Sequence, residues 1–421
     1  MPDILSTLTI ERLSERGEGI ARTDAGRIFV PYALAGEIVE AEVEGSRACL
    51  KRTLATSPDR IAPFCSYFAR CGGCAVQTLA PEAYLRWKRD LVVEALRRAG
   101  LAPEVSELTD AHGEGRRRAV FHVRYPGGRP AAGFMQTRSH EVVEISHCPL
   151  LAPAMVGALS AARAIANTLR SSARPLDIIV TLTQTGLDVD IRGHGPTGSA
   201  HTQALVEAAL AHHLARLSNH GRVLISPRNP AVAIGKAWVE IPPGVFLQPT
   251  LAGEEALGSR VCTQAAGATR AADLFCGIGT FALRLAGFAK VDAFDCDGSA
   301  LAALRKAAAG AALREVRALQ RDLFRQPLAP HELEAYDAVV FDPPRSGAEA
   351  QARAAAASSV PLIAAVSCNP KTFARDAAIL CSGGYELVSV EPIDQFRYSP
   401  HVEIVAFFRR RPRARKKPVF G

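Results

Sequence analysis

From about residue 262 onward, short apolar runs alternate with segments of helical pattern, and a polar turn follows each run. This alternation is typical of a parallel, doubly wound α/β sheet. Because the carboxyl ends of parallel strands meet at one edge, where such sheets bind ligands, the polar turns are expected to share a site. The residues in these turns are, in chain order, Gly277 and Gly279, Asp295, Asp322, Asp342 and Cys368.

The turn after the first run has the pattern Asp-x-x-x-Gly-x-Gly over residues 273–279, which lets the backbone approach a nucleoside-containing ligand. Asp295 follows about 20 residues later, in a position suited to ribose hydroxyls. Ala282 stands where a dinucleotide-binding fingerprint would have its third glycine. The pattern instead resembles the fold of S-adenosylmethionine-dependent methyltransferases. The alternative is that individual aspartates cap the helices that follow them.

Cys368 follows the apolar run 361–366 and precedes a predicted helix. A cysteine in that place lies near a helix N-terminus, which favours the thiolate form and therefore nucleophilic chemistry. The alternative is a small buried apolar side chain, the role of most single cysteines.

The chain of 421 residues is 48% hydrophobic and has a net charge of +8, which indicates several globular domains and an acidic partner, nucleic acid above all. Its first residues lack the basic start and apolar core of a signal peptide, and no uninterrupted apolar stretch of about 20 residues occurs. We therefore expect a cytoplasmic protein that spans no membrane and whose ten cysteines are reduced.

Residues 1–58 contain short alternating runs separated by glycine turns, among them 7–13, 27–31 and 38–43. This spacing predicts a closed β barrel of the OB type. The pattern resembles the TRAM domain, an RNA-binding barrel. The alternative is a barrel that binds no ligand.

Three cysteines, Cys65, Cys71 and Cys74, lie close together in the sequence, and a fourth, Cys148, lies far along the chain. Four thiolates from two segments suit a metal that ties those segments together. Spacing alone leaves zinc and an iron–sulfur cluster both open. The alternative is four unrelated, reduced cysteines.

Residues 59–240 otherwise predict an α+β domain with antiparallel strand pairs. An amphipathic helix is predicted over 81–98, with Leu85 and Leu96 on its apolar side. The predicted hairpins pair 119–125 with 131–136, and 177–183 with 187–191.

Two strongly basic segments stand out, the triplet Arg116-Arg117-Arg118 and a tail over residues 409–421. Contact with phosphates and simple exposure to solvent are both open for each of them.

Two C-terminal motifs resemble those of the RNA uracil-5 methyltransferases, Phe341-Asp342-Pro343-Pro344-Arg345 and Ser367-Cys368-Asn369-Pro370. The segment His401-Val402-Glu403-Ile404-Val405 is also similar to that family's. With the barrel and the four cysteines, they look like the branch that has a TRAM domain and a [4Fe-4S] cluster, typified by the bacterial 23S rRNA uridine methyltransferase. The resemblance extends from about residue 5 to residue 408.

The resemblance implies a Rossmann-like methyltransferase domain over 241–408, with Cys368 as the nucleophile and Glu403 as the base. The ligands that it implies for a [4Fe-4S] cluster are Cys65, Cys71, Cys74 and Cys148. The residues that it implies for binding S-adenosylmethionine are Gln248, Phe275, Gly277, Gly279, Thr280, Asp295, Asp322 and Asp342. Thr250 and Thr280 stand where the family usually has asparagine, which leaves their individual roles open.

The expected function is methylation of uridine C5 in RNA, with 23S rRNA as the first choice of substrate and tRNA as the alternative. Cys368 would add to C6 of uracil, C5 would take the methyl group, and Glu403 would remove the C5 proton. The uridine must be reachable, in a loop or flipped out of a helix. We expect a monomer whose partner is RNA. A non-catalytic RNA-binding protein is the second class of function, and the intact Cys368 and Glu403 argue against it.

Overall fold

A computed structural model describes residues 4–411 of the chain. Its N-terminal strands are β1 (Ile4–Leu13), β2 (Glu18–Thr23), β3 (Gly26–Pro31), β4 (Ile38–Glu44) and β5 (Arg47–Ala55). They close into a barrel in the order β1-β2-β3-β5-β4. Alternate side chains, such as Leu8 and Ile10 of β1, pack in the barrel interior. The predicted OB-type barrel is confirmed.

The predicted helix is present as α1 (Pro81–Arg98), and the short strand β6 (Thr109–Asp110) follows it. Its buried face differs from the prediction, because Leu85 is 39% exposed whereas Lys88 is completely buried. Lys88 forms an ion pair with Asp394, which is also buried. A lysine can occupy this face only because its charge is paired there.

The central region is built on one sheet with two helices. Both predicted hairpins are confirmed as antiparallel pairs, residues 118–124 with 131–135 and residues 176–183 with 186–192. The elements are β7 (Arg118–Arg124), β8 (Ala131–Met135), β9 (Val142–Glu144), α2 (Ala158–Thr168), β10 (Leu176–Thr183), β11 (Gly186–Arg192), α3 (Ser199–Ala211), β12 (Arg216–Asn219) and β13 (Arg222–Ile225). The sheet order is β13-β12-β11-β10-β7-β8-β9. Short 3₁₀ turns lie at Pro126–Gly128, Pro153–Met155 and Arg170–Ser172.

The C-terminal region alternates strands and helices, as predicted. Its elements are β14 (Ala231–Ile234), β15 (Ala237–Glu240), α4 (Leu251–Gln264), β16 (Arg270–Leu274), α5 (Ala282–Leu285), β17 (Lys290–Asp295), α6 (Gly298–Ala309), β18 (Val316–Gln320), α7 (Pro330–Leu333), β19 (Ala338–Phe341), α8 (Glu349–Ala357), β20 (Leu362–Ser367), α9 (Pro370–Ser382), β21 (Tyr385–Asp394) and β22 (Glu403–Arg410). β14 and β15 form a separate hairpin.

The main C-terminal sheet has the order β18-β17-β16-β19-β20-β22-β21-β6. Strands β16 to β20 are parallel, and β22 runs antiparallel between β20 and β21. Along the chain, β17 and β18 are added on one side of β16, whereas β19 and β20 are added on its other side. This reversal creates a crevice at the carboxyl ends of β16 and β19, the place where open α/β sheets bind ligands.

Helix α1 and strand β6 belong in sequence to the predicted central domain 59–240, yet they pack on the C-terminal sheet. Val92 and Leu96 of α1 share a core with Ile404 and Phe408 of β22, and β6 pairs with the end of β21. The domain boundaries at 58, 240 and 408 stay a prediction.

The predicted basic tail starts later than expected, because Arg409 and Arg410 belong to β22. Residues 412–421 of the predicted tail lie outside the described residues. Within residues 4–411, no helix is long and apolar enough to cross a membrane.

Candidate active site

Strand pairing brings Cys368 and Glu403 to the same edge of the C-terminal sheet. All six residues of β20 are buried, and the antiparallel register pairs its last residue, Ser367, with Ile404. Cys368 therefore follows the end of β20 where Glu403 begins β22. Glu403 is only 3% exposed, so it is not a solvated strand acid.

Hydrogen bonds tie the two turns at this edge together. The Asn369 side chain accepts from the N–H of Lys371 (3.1 Å), which caps α9, and donates to the carbonyl of Arg345 (3.0 Å). A guanidinium nitrogen of Arg345 lies 3.2 Å from Nε2 of His401. The three sequence motifs thus form one surface around Cys368.

A cavity of ≈ 420 Å³ opens beside Cys368. Arg345 and His401 line one part of it, and Arg16 and Tyr32 of the barrel region line another. Its volume lies within the range of ligand pockets, about 300–1,000 Å³. The barrel therefore contributes to the wall of this site.

Four polar side chains form a hydrogen-bonded chain at the same edge. Nε2 of Gln395 donates to Oε2 of Glu403 (3.0 Å) and to Oε1 of Gln248 (2.7 Å). Nε2 of Gln248 donates in turn to Oδ2 of Asp342 (3.1 Å). Two amides thus connect the two carboxyl groups.

The electrostatics of this chain follow from burial. Burial, and next the charge of Asp342, raises the pKa of Glu403, and burial likewise raises the pKa of Asp342. Carboxyl groups that interact in this way titrate as a pair, and the pair retains a proton at a pH where isolated carboxyls are ionised.

Burial, followed by the negative charges of Glu403 and Asp342, raises the pKa of the Cys368 thiol to about 11. The N-terminus of α9 and the positive charge of Arg345 act in the opposite direction and favour the thiolate. The assignment of Cys368 as the nucleophile stays a prediction.

The glycine-rich turn after β16 is tightly folded. Phe275, Gly277 and Gly279 all have positive φ, at 62°, 53° and 96°. The N–H of Gly277 donates to Oδ2 of Asp295 (2.8 Å), and a Cβ on Gly279 would lie 2.4 Å from Cδ1 of Leu304. Glycine adopts the φ angles at positions 277 and 279 without strain, and at position 279 there is also no room for a Cβ.

The aspartates at the strand ends are not simple helix caps. Asp297, not Asp295, caps α6. Asp322 accepts from the N–H of Phe324 (3.0 Å) and so shapes a turn. The exposed Phe324 ring lies 5.3 Å from the ring of Phe275, centroid to centroid, a contact that no local sequence pattern predicted.

Thr250 and Thr280, which stand where the family usually has asparagine, differ in their surroundings. Thr250 is completely buried and caps α4, since its hydroxyl accepts from the N–H of Gly253 (2.9 Å) and donates to the carbonyl of Ala111 (2.6 Å). Its role here is structural. Thr280 is half-buried within the glycine-rich turn.

The four predicted cluster cysteines line one cavity of ≈ 160 Å³, together with Arg116 and Arg118. All four are free and half-buried. Burial raises the pKa of Cys71 and Cys148, and that of Cys74 to about 12. Within residues 4–411, no three Cys, His, Asp or Glu side chains are arranged to hold a single metal ion.

The basic triplet is not a phosphate-binding surface at Arg117. That residue is 6% exposed, pairs with Glu254 and donates to the carbonyl of Gln248 (2.9 Å). Its charge is paired inside the protein, and its hydrogen bond stabilises the segment that carries Gln248.

Gln395 is the main site residue that sequence reasoning missed. It is completely buried and hydrogen-bonds both Gln248 and Glu403. It lies directly after β21, and the pairing of β21 with β22 that brings it to Glu403 leaves no local pattern in the sequence.

Comparisons with known proteins show which proteins this chain resembles. Residues 239–411 match the family described as tRNA (Uracil-5-)-methyltransferase, and residues 6–48 match the TRAM domain. An RNA methyltransferase of Mesorhizobium japonicum is 44% identical over 409 residues, which cover 97% of this chain and 98% of the relative. The 23S rRNA (uracil(1939)-C(5))-methyltransferase of Pseudomonas savastanoi pv. phaseolicola is 35% identical over 425 residues, covering 95% and 93%.

One solved structure is similar over nearly the whole length. It is the tRNA (uracil-54, C5)-methyltransferase of Pyrococcus abyssi in complex with S-adenosyl-L-homocysteine, with a TM-score of 0.73 and coverage of 96% of this chain and 99% of that chain. At 20% identity, the likeness is one of fold.

Proposed function

The chain belongs to the family of RNA uracil-5 methyltransferases, and from that premise we propose that it methylates C5 of a uridine in RNA with Cys368 as nucleophile and Glu403 as base. The observation that carries the proposal is the edge of the C-terminal sheet, where a cysteine, a buried carboxyl and the glycine-rich turn lie at neighbouring strand ends.

The first step activates the base. C5 of uracil is a poor nucleophile, and addition of the Cys368 sulfur to C6 places electron density on C5. The thiol proton passes to water in the cavity as the S–C6 bond forms, and the electron pair of the C5–C6 double bond moves onto C5 and the adjoining carbonyl oxygen as an enolate. Arg345, which favours the ionised form of Cys368, assists this step.

The second step transfers the methyl group and restores the aromatic base. S-adenosylmethionine supplies the methyl group from a sulfonium centre. Glu403 then takes the C5 proton, the electron pair of that C–H bond re-forms the C5–C6 double bond, and the Cys368 sulfur leaves C6.

The donor site is proposed at the crevice between β16 and β19. The turn fits a nucleoside there, because its backbone is folded back by three positive φ angles and Asp295 stands beside Gly277. The residues that would hold S-adenosylmethionine are Gln248, Phe275, Gly277, Gly279, Thr280, Asp295, Asp322 and Asp342. We add Phe324, whose exposed ring contacts Phe275.

RNA is proposed to reach the cavity across the barrel. A cleft of ≈ 510 Å³ on the barrel contains Arg12, Arg27, Arg47 and Phe29, and it shares Arg16 with the cavity beside Cys368. Arginines beside an aromatic ring suit phosphates and unstacked bases. A monomer in the cytoplasm remains our expectation.

The preferred substrate is 23S rRNA, because the Pseudomonas relative that acts on 23S rRNA is 35% identical over nearly the full length, whereas the tRNA enzyme shares the fold at 20% identity. We expect purified protein with labelled S-adenosylmethionine to produce 5-methyluridine at one site in unmodified 23S rRNA. Mass spectrometry of nuclease fragments measures this. Labelling of tRNA alone would favour the alternative substrate, and labelling of neither RNA would contradict the function.

We also propose that Cys65, Cys71, Cys74 and Cys148 hold a [4Fe-4S] cluster that ties two chain segments together. They line one cavity, which brings thiols from two chain segments to one site. Guanidinium nitrogens of Arg116 and Arg118 have no hydrogen-bond partner although both residues line the cavity, and positive charge there fits an anionic cluster.

Anaerobically purified protein is therefore expected to contain about four iron and four sulfide per chain. Cys74→Ala should lose most of the iron, while Cys49→Ala, at an exposed position on β5, should not. One zinc per chain without sulfide would contradict the cluster and support the zinc alternative.

A further inference from the structure

We propose that Gln395 is a positioning residue for the general base, because one amide group orients both the Glu403 carboxylate and the Gln248 side chain. The inference rests on the proposed function, since it gives Gln395 a task only if Glu403 removes a proton. It adds a residue that lies in none of the three sequence motifs from which the site was predicted.

Both hydrogens of Nε2 of Gln395 are used, one toward Oε2 of Glu403 (3.0 Å) and one toward Oε1 of Gln248 (2.7 Å). Because this nitrogen can only donate, Gln248 must present its oxygen to it. The Gln248 nitrogen is then left to donate to Asp342 (3.1 Å). Gln395 is completely buried, so solvent does not compete for these bonds.

The backbone on both sides of Gln395 is anchored to α1. Lys88 pairs with Asp394 and donates to the carbonyl of Phe396 (2.9 Å), and the hydroxyl of Tyr84 also donates to Asp394. The side chain of Asp394 accepts from the N–H of Phe396 (3.0 Å). These buried bonds fix the point from which the Gln395 side chain extends.

The first turn of α4 fits closely around the same amide. A Cβ on Gly253 would lie 2.3 Å from Oε1 of Gln395 and 2.8 Å from Oγ1 of Thr250. The absence of a side chain at Gly253 therefore makes space for the Gln395 amide. A methyl group on residue 253 would displace that amide.

The consequence for catalysis is electrostatic. Asp342, Arg345 and Cys368 are the charged or titratable groups that face Glu403. Asp342 raises the pKa of Glu403, whereas Arg345 and the hydrogen bond from Gln395 lower it. Without that donor, less of the base is ionised at neutral pH. Proton removal slows, although sulfur addition and methyl transfer can still occur.

The test is Gln395→Met, which keeps the approximate volume and removes the donor. We expect kcat at pH 7 to fall about tenfold, because the hydrogen bond from Gln395 favours the ionised base, and the deficit to shrink as pH rises. A covalent protein–RNA adduct with ordinary uridine should accumulate on denaturing gels. A loss that is equal at every pH, with no adduct, would overturn the proposal.

Gly253→Ala should reproduce both signatures by displacing the amide. Gly267→Ala, just beyond α4 where an added Cβ meets no atom within 4 Å, should behave as wild type. Trapping by 5-fluorouridine RNA needs no base and checks that each variant is folded. If wild type neither methylates RNA nor is trapped, the proposed function fails. If the wild type methylates RNA and is trapped, but Gln395→Met and Gly253→Ala keep the wild-type pH profile, only the proposed role of Gln395 is rejected.

Discussion

Replacing Cys368 by alanine is expected to lower the rate of methyl transfer to RNA by about 10⁴-fold or more, the scale on which loss of a covalent nucleophile acts in other enzymes. Without sulfur at C6, C5 of uracil does not gain the electron density that it needs to attack a sulfonium methyl group. Transfer of label from S-adenosylmethionine to saturating RNA measures the effect.

Cys381→Ala is the matched control, because Cys381 lies on α9, the helix that follows Cys368, and is also half-buried. It should retain near wild-type activity. Wild-type protein should form a stable adduct with 5-fluorouridine RNA, since fluorine does not leave C5 as a proton does, and Cys368→Ala should form none. Residual methylation close to the wild-type rate in Cys368→Ala would disprove the nucleophile assignment.

The sequence predicted the sheet edge well because each strand there is locally encoded. Apolar runs of strand length, each followed by a helical segment, are sufficient to predict parallel order, and Asp295 and Cys368 fall at strand ends as expected. The barrel was predictable for the same reason, since its strands are short and alternate.

Long-range pairing explains what the sequence did not predict. Gln395 meets Gln248 because β21 and β22 fold back beside β20, across 147 positions of chain. Lys88 is buried only because its partner, Asp394, arrives from the far end of the sequence. Neither contact leaves a local pattern of spacing or composition.

The surroundings of Cys368 could not be predicted, for a related reason. Its helix N-terminus is visible in the sequence, but its burial and the two carboxyl groups near it are properties of the folded site. Those groups raise the pKa of the thiol.

Glu403→Gln is expected to reduce turnover by about 10²–10⁴-fold, the range for loss of a general base. Glutamine keeps the shape and still accepts the hydrogen bond from Gln395, so Cys368 addition and methyl transfer should survive. The methylated adduct should therefore accumulate with ordinary uridine RNA, visible as a shifted band on a denaturing gel. Glu386→Gln, an exposed acid on β21, is the control and should show neither effect.

The pH dependence of kcat distinguishes Glu403 from the residues around it as the general base. Glu403 must be ionised to take the C5 proton, and burial together with Asp342 raises its pKa. In the wild type, kcat should therefore rise with pH, over a pH range above the usual pKa of a glutamate. It should level off once the carboxyl is ionised. Glu403→Gln has no group to ionise, so its slow turnover should lack that rise, whereas Gln395→Met should retain the rise at higher pH. A wild-type rise that persists unchanged in Glu403→Gln would assign the titrating base to another group, with Asp342 the first candidate, since burial raises its pKa as well.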